Sequence, residues 1–548
     1  MKKKEWRLIV GVLVVVASIV GVSYAAWVLE FKQGTPSNIA SSCFSVTFTE
    51  DTDSISLTDA YPMVDADGKK LTPYTFTITN KCEAYASYQV NLEVLNSSTL
   101  TNHGFLKVML DSKTPSLLSS NEVVSTTLNN ATTSYKLGTY YLDSKQSKTH
   151  NVRLWLDENV EMGDGVNNQT FDSMVTISAT YSPTMPSDYE LCVNDYGEDS
   201  VQCTIMAEAE TDASLCPTVN EDGTVNVTAI EDTNALVCSA PDDYGTSYYF
   251  RGVPENNWVK FGGYYWRIIR VNGDNSIRMI YAGDASVIDA LDETTKVQVL
   301  SNGYDDSSTD YTQIGTSAYN NYWKKDNVED TSKYVYTDNA GVGYMYGNLE
   351  DGQTNTTSKL QAQTNTNDST IKAYLDNWYT TNLASYETYI SDTLFCNDRT
   401  IQETIPSGYS NLGYGVELTA YRWNSSSNGI KLACQKQNDR FTVDDEVIGN
   451  GDLTYPIGLI TTDEAYLAGG SAANSNYYLY TGNIYWTMRP SSFNGISAYV
   501  LSVSSRGHAD TNVYVYYSSG GVRPVINLKP NVLNSGTGLA SDPYKIVE

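Results

Sequence analysis

The sequence predicts a mainly β, multidomain protein, with a β-sandwich in its N-terminal half and an α+β domain in its C-terminal half. Three observations carry this expectation. Between residues 40 and 182, apolar and polar side chains alternate in run after run, the period of a sheet with one buried face. Apolar residues at helical spacing appear only beyond residue 247. The 548 residues include 43 tyrosines, with Ser, Thr, Asn and Gly in abundance, a composition suited to pleated sheets joined by polar turns.

The first element, residues 1–29, is a targeting segment. Lys2, Lys3, Lys4 and Arg7 stand against one acid, and Leu8 to Leu29 then runs for 22 residues without a charge. At about 1.5 Å per residue that run makes a helix about 33 Å long, against a hydrocarbon core of about 30 Å. It can serve as a transmembrane anchor. The pattern Ser23-Tyr24-Ala25 also suits cleavage after Ala25, so a removable signal peptide stays open. In both cases the basic flank stays inside and the remaining chain is outside.

Residues 40–182 hold the predicted sandwich strands, among them Phe44 to Phe48, Tyr74 to Ile78, Tyr88 to Leu92, Val152 to Leu156 and Val175 to Ala179. Asp65-Ala66-Asp67-Gly68 has the look of a calcium-loop fragment, but no further acids follow at ligand spacing, so a plain turn is expected. Residues 183–246 change character: acidic, with Pro183, Pro186, Pro217 and Pro241, they read as a linker stiffened by disulfide loops.

An even set of eight cysteines in an exported chain reads as disulfides. Locality favours Cys43 with Cys82, Cys396 with Cys434, and pairing among Cys192, Cys203, Cys216 and Cys238. No C-x2-C pair occurs and no histidine lies near a cysteine, so zinc ligation has no support. No cofactor is expected, and structural calcium has no ligand set behind it.

Residues 247–548 form the α+β domain. Trp258 to Phe261, Gly262-Gly263 and Tyr264 to Val271 predict a hairpin, and Asn272-Gly273-Asp274-Asn275 turns the chain into Ser276 to Tyr281. Ile371, Tyr374, Leu375, Trp378 and Leu383 lie at helical spacing behind Ser369, a predicted N-cap. A second helix is predicted from Thr461, with Glu464 in capping-box spacing, to Gly469-Gly470. Ala498 to Val503, Val513 to Tyr517 and Val522 to Leu528 are the closing strands.

Charge and residue content exclude several classes. A net charge of −29, with no basic stripe beyond residue 7, excludes a phosphate-backbone partner, so no nucleic acid is expected. Only three histidines occur, of which His508 alone sits in a strand-loop region open to solvent, and no G-x-S-x-G accompanies it. The chain reads as non-enzymatic.

Two stretches carry resemblances. Ser56 to Met63 and Thr72 to Cys82, behind a leader ending Ser23-Tyr24-Ala25-Ala26-Trp27, resemble camelysin and TasA-type exported β-sandwich proteins of Gram-positive bacteria. The TasA likeness implies a sandwich that polymerises into extracellular matrix. Camelysin has been described as a metallopeptidase, but this chain has no H-E-x-x-H, and His103 and His150 lie far apart. Trp258 to Tyr281, Phe395 to Arg399, Leu453 to Thr461, Tyr485 to Pro490 and Gly521 to Leu528 resemble a surface-protein domain family of uncharacterised function. Its fold is similar to formylglycine-generating enzymes and C-type lectins, which implies a C-type-lectin-like α+β domain. Two departures matter. The last cysteine, Cys434, precedes the closing strand, where the enzyme's reactive pair would lie, and Trp423-Asn424-Ser425 lacks the Asp of a calcium-binding lectin triplet.

A binding surface is expected late in the chain. In Val513 to Tyr517 the alternation sends Val513 and Val515 inward and Tyr514 and Tyr516 outward. Tyr499, Arg506, His508, Asp510 and Tyr517 add the Tyr-rich, short polar mixture typical of paratopes. Residues 486–521 also resemble the hypervariable stretch of retroelement-diversified binding proteins. The expected function is therefore a non-enzymatic, exported cell-surface protein that binds or adheres to an extracellular glycan or protein, held to the membrane if residues 1–29 persist. The alternatives are a TasA-like matrix protein, a retroelement-diversified binder and, against the cysteine placement, an enzyme of the formylglycine-generating type.

Overall fold

The computed structural model describes residues 29–32, 44–48, 55–57, 60–81, 83, 85–111, 113, 115–161, 164–166, 168–181, 186–210, 215–227, 235–302, 310–321, 343–347, 360, 363–399, 429–470, 473–493, 498–509 and 511–546. The targeting segment up to residue 28, Cys43, Cys82, Trp423-Asn424-Ser425 and Asp510 lie outside them. The protein is mainly β, with several sheets, and divides into two units, Met1–Glu198 and Asp199–Glu548. Among the described residues no helix is long and apolar enough to cross a membrane.

The first unit has two six-stranded sheets. One runs Leu29–Lys32, Phe171–Tyr181, Ala86–Leu95, Ala131–Leu142, Glu122–Val124, with Ile55–Leu57 also on Phe171–Tyr181. The other runs Phe44–Phe48, Tyr74–Asn80, Ser147–Asp157, Leu106–Leu110, Ser116–Leu117, with Pro62–Met63 parallel to Ser147–Asp157. Alternation decides which side chains go inward: Tyr74, Phe76 and Ile78 are buried while Thr75, Thr77 and Thr79 are half-exposed. They join Val90, Leu92, Val108, Leu154, Val175 and Ile177 in one core fed by both sheets. Each such side chain contributes about 1.5–3 kcal/mol when fully buried.

Several polar groups inside this core are matched, although the Tyr140 hydroxyl is buried without a hydrogen-bond partner among the described residues. The buried His150 ring lies 2.7 Å from the Asp111 carboxylate through Nδ1 and 2.8 Å from the Tyr88 hydroxyl through Nε2. Glu93, also buried, accepts from the Thr127 and Leu128 backbone N–H at 2.8 and 3.0 Å. The Asp65–Gly68 stretch is a single helical turn rather than a plain one. Its Asp65 pairs with Lys107 at 2.9 Å and Asp67 with Lys70 at 3.1 Å. Gly68 is there for space: a Cβ on it would lie 2.3 Å from the Trp155 indole.

Helices are not confined to the last domain, as the apolar spacing had suggested. Asp188–Tyr196 forms in the first unit behind a capping box of Ser187 and Glu190. Val201–Ala207 forms in the second. Within the stretch read as a linker, Ala235–Pro241 also pairs along its whole length with Thr246–Gly252. The short helices escaped periodicity because each is three turns or fewer.

In the second unit, one edge of Tyr264–Val271 is shared by Trp258–Phe261 and Thr246–Gly252, while its other edge takes Ile277–Asp284. Val525–Leu528 and Tyr544–Lys545 complete this seven-stranded sheet. A five-stranded sheet runs Thr316–Ser317, Gly520–Gly521, Tyr485–Phe493, Ala498–Val503, Thr511–Tyr514. The helix Thr370–Asn382 starts where expected, with the Ser369 hydroxyl accepting from the Lys372 N–H, and buries Ile371, Leu375 and Tyr379. Thr462–Ala465 carries the expected capping box of Thr461 and Glu464 and continues as a wider turn through Gly469, whose φ of 131° favours glycine.

Buried arginines tie these layers together. Arg270 bridges Asp242 and Glu464 at 2.6 and 2.9 Å, Arg278 reaches Glu464 at 2.6 Å, and Arg399 pairs with Asp439 at 2.7 Å. Arg489 pairs with Asp463 and Asp398. Disulfides Cys216–Cys238 and Cys396–Cys434 form as locality suggested, and Cys192 and Cys203 are also disulfide-bonded.

Candidate functional site

The two strands that close the five-stranded sheet set Tyr499 directly opposite Tyr514. Cross-strand neighbours of this kind sit close enough for rings to meet, and the centroids are 4.6 Å apart. Tyr514 stacks in turn on Tyr516, at 5.0 Å and 22° between planes. The result is a row of three rings that starts on Ala498–Val503, crosses to the last residue of the outermost strand and continues into the turn beyond it. Tyr514 is 42% exposed and Val515 fully buried, as expected, but the strand ends at Tyr514 and a turn follows, so Val513 and Tyr516 are both half-buried and Tyr517, on the inward side of the expected alternation, is 41% exposed. Burial, and then the hydrogen bond to Tyr514, push the Tyr499 phenol up to about 12.

The remaining predicted residues are placed apart from the row. Arg506 and His508 lie in the turn beyond the other end of the hairpin, about five residues or 16 Å along the strand from Tyr499. That turn is closed by Ser504, whose N–H donates to the His508 carbonyl at 2.8 Å and whose hydroxyl accepts from the Arg506 and His508 N–H at 3.2 and 3.1 Å. Gly507, at φ +82°, is required there because a Cβ would fall 1.8 Å from the Asn474 carbonyl oxygen. Arg506 is exposed, and His508 is half-buried with its ring centroid 6.2 Å from that of Tyr466.

A second feature was not read from the sequence. A cleft of about 1470 Å³ opens beside Trp258–Phe261, walled by Trp258, Tyr265, Arg267, Tyr478, Tyr480 and the C-terminal segment around Ser541. Trp258 and Tyr265 belong to a small core cluster with Val299 and Leu300, which supports this side of the cleft. At the rim, Asp289 holds Lys260 and Lys296, both at 2.6 Å, and accepts from the Tyr265 hydroxyl at 2.8 Å. Although desolvation opposes it, those donors hold the Asp289 carboxyl well below the usual range. The cleft draws on four separated stretches, so no local pattern announces it; the Trp258 to Tyr265 hairpin was the readable part.

Among the described residues, no cluster of three or more His, Cys, Asp or Glu is arranged to hold a metal ion. No family model, curated protein or solved structure matches the chain.

Proposed function

We propose that the protein is an exported, non-enzymatic cell-surface protein that binds an extracellular glycan or protein through the Tyr499, Tyr514 and Tyr516 row. In this reading the first unit, taken as a β-sandwich, is a stalk, and the second, taken as a C-type-lectin-like domain, is the binding head. The carrying observation is the row itself, with ring centroids 4.6 and 5.0 Å apart and Tyr514 exposed at its centre. Tyrosine offers wide contact area for two side-chain torsions, and rings already stacked lose little freedom when a partner covers them. The reading without catalysis is supported by Cys396 and Cys434, which are joined to each other.

The test is a glycan and protein array probed with the full exported chain, followed by titration of the ligand found. Tyr514→Ala with Tyr516→Ala is expected to weaken binding by about 2 kcal/mol, roughly thirtyfold in Kd. Stability should change by no more than about 1 kcal/mol, because Tyr514 is exposed and Tyr516 only half-buried. Unchanged affinity in the double variant would remove the row from the binding surface.

A further inference from the structure

The cleft beside Trp258–Phe261 contains a cation whose pairing the protein leaves incomplete. Arg267 is 7% exposed. Its Nε donates to Asn257 Oδ1 at 2.6 Å and its Nη2 to the Pro254 carbonyl at 2.7 Å, while Nη1 has no acceptor among the described residues. No carboxylate pairs with it there either. The contrast with Arg270, Arg278, Arg399 and Arg489, each buried against at least one carboxylate, is direct. Arg251 and Arg523 also bond to carbonyls, but neither lines this cleft.

The guanidinium is held between two rings, 4.3 Å from the Trp258 centroid and 5.2 Å from that of Tyr478. This fixes its plane, as stacking on aromatic faces does for arginines that recognise planar anions. Burial, opposed by Tyr478 and helped by Arg523, pushes its pKa down to about 9. The Tyr478 hydroxyl is buried as well and has no hydrogen-bond partner among the described residues. Leaving a buried hydroxyl unmatched is destabilising, and here two unmatched donors belong to one cleft wall.

We propose that this cleft binds an acidic oligosaccharide, with a sugar carboxylate accepting from Arg267 and the Tyr478 hydroxyl and the sugar rings lying along the aromatic wall. Two features favour that ligand over a bare anion. Tyr478 and Tyr480, both half-exposed, offer ring surface, and Ser475, Asn476 and Ser541 offer short polar groups for hydroxyls. The volume of about 1470 Å³ exceeds the roughly 300–1,000 Å³ of ordinary small-molecule sites, leaving room for several rings. The charged lining residues balance, four cations against Glu255, Asp289, Glu293 and Asp542, so the unmatched Arg267 donor, not a net charge, is what selects an anion. None of the tyrosine-row residues lines the cleft, so this site is independent of the surface proposed above.

Isothermal titration of the full exported chain with a glucuronate-containing tetrasaccharide, its carboxyl-reduced neutral counterpart and inorganic phosphate tests this. The acidic sugar is expected to bind at least tenfold tighter than either comparator. Tyr478→Phe should cost about tenfold in affinity without lowering the melting temperature, because it deletes a hydroxyl that has no protein partner. Arg267→Gln should abolish the preference for the acid, and Tyr514→Ala with Tyr516→Ala should leave it intact. If Arg267→Gln does not fold, Tyr478→Phe and the comparison of the two sugars still decide. Equal binding of the acidic and reduced sugars, tighter binding of phosphate, full affinity in Tyr478→Phe, loss of binding in the tyrosine-row variant, or no binding at all would each overturn the assignment.

Discussion

Glu464 serves three partners with one carboxylate. It accepts from the Thr461 N–H at 2.9 Å as the capping-box partner, and it faces Arg270 and Arg278 at 2.9 and 2.6 Å in a site closed to solvent. Burial alone would raise its pKa, but Arg278 and then Arg270 outweigh that and hold it below the usual carboxylate range. Glu464→Gln strands two buried cations and is expected to cost about 3–5 kcal/mol in a urea unfolding series. The pH dependence follows from the sign of the shift. A carboxyl depressed in the folded state stabilises fully above its unfolded value of about 4.3, and that contribution is lost as pH falls through it towards the folded value. The stability gap between wild type and Glu464→Gln should therefore close as pH is lowered from 7 to below about 4. A gap constant over that range would show that the carboxylate charge is not what holds the arginines. Gly68 makes a related point about reading single residues. Its place in a D-x-D-G string draws attention to metal, whereas the residue is set by the indole of Trp155, 87 positions away in sequence, and no local pattern reveals that.

Elements governed by short-range rules were legible. The helix Thr370–Asn382 follows from an N-cap serine and a 3.6-residue apolar stripe, both within its own sequence. Ser369→Ala should lower the stability of the second unit by about 1 kcal/mol in thermal unfolding, and Ser369→Asp should restore most of it. A larger loss that Asp does not repair would assign Ser369 a packing role instead. The helix Asp188–Tyr196 also had its signature, Ser187 and Glu190 at capping-box spacing, but an acidic setting with little apolar stripe concealed it. Pairing between distant segments was not legible. Thr316–Ser317 meets Gly520–Gly521 across some 200 residues, in strands too short to show a period. The proposed binding surface divides in the same way. Alternation placed Tyr514 outward and Val515 inward but not the turn after Tyr514 that exposes Tyr517, while the contact of Tyr499 with Tyr514 needed the hairpin register, and the separation of Arg506 and His508 from the row needed its length. The cleft joins stretches near residues 258, 289, 478 and 541, so only its tertiary assembly exposes the unmatched Arg267.

At the scale of the whole molecule, covalent links and charge bear on the proposed export. The chain carries −29 formal charge, whose self-repulsion favours solubility and opposes compaction. Disulfides offset that by restricting the unfolded chain. Cys216–Cys238 and Cys396–Cys434 span 22 and 38 residues, for which loop-closure entropy gives about 3 and 4 kcal/mol. Domain stabilities are usually about 5–15 kcal/mol, so contributions of this size decide whether the second unit is folded. Such links persist in an oxidising compartment and are lost in a reducing cytosol. Cys396→Ser with Cys434→Ser is therefore expected to lower the urea-unfolding free energy of the second unit by about 4 kcal/mol, and Cys216→Ser with Cys238→Ser by about 3 kcal/mol. Protein recovered after export should show no thiol reactive towards a thiol reagent after unfolding, and protein made in a reducing cytosol should show thiols together with the lower stability. If the cytosolic protein is fully reduced yet as stable as the exported form, the disulfides have no bearing on where the chain folds, and the export proposal loses its support from the cysteines.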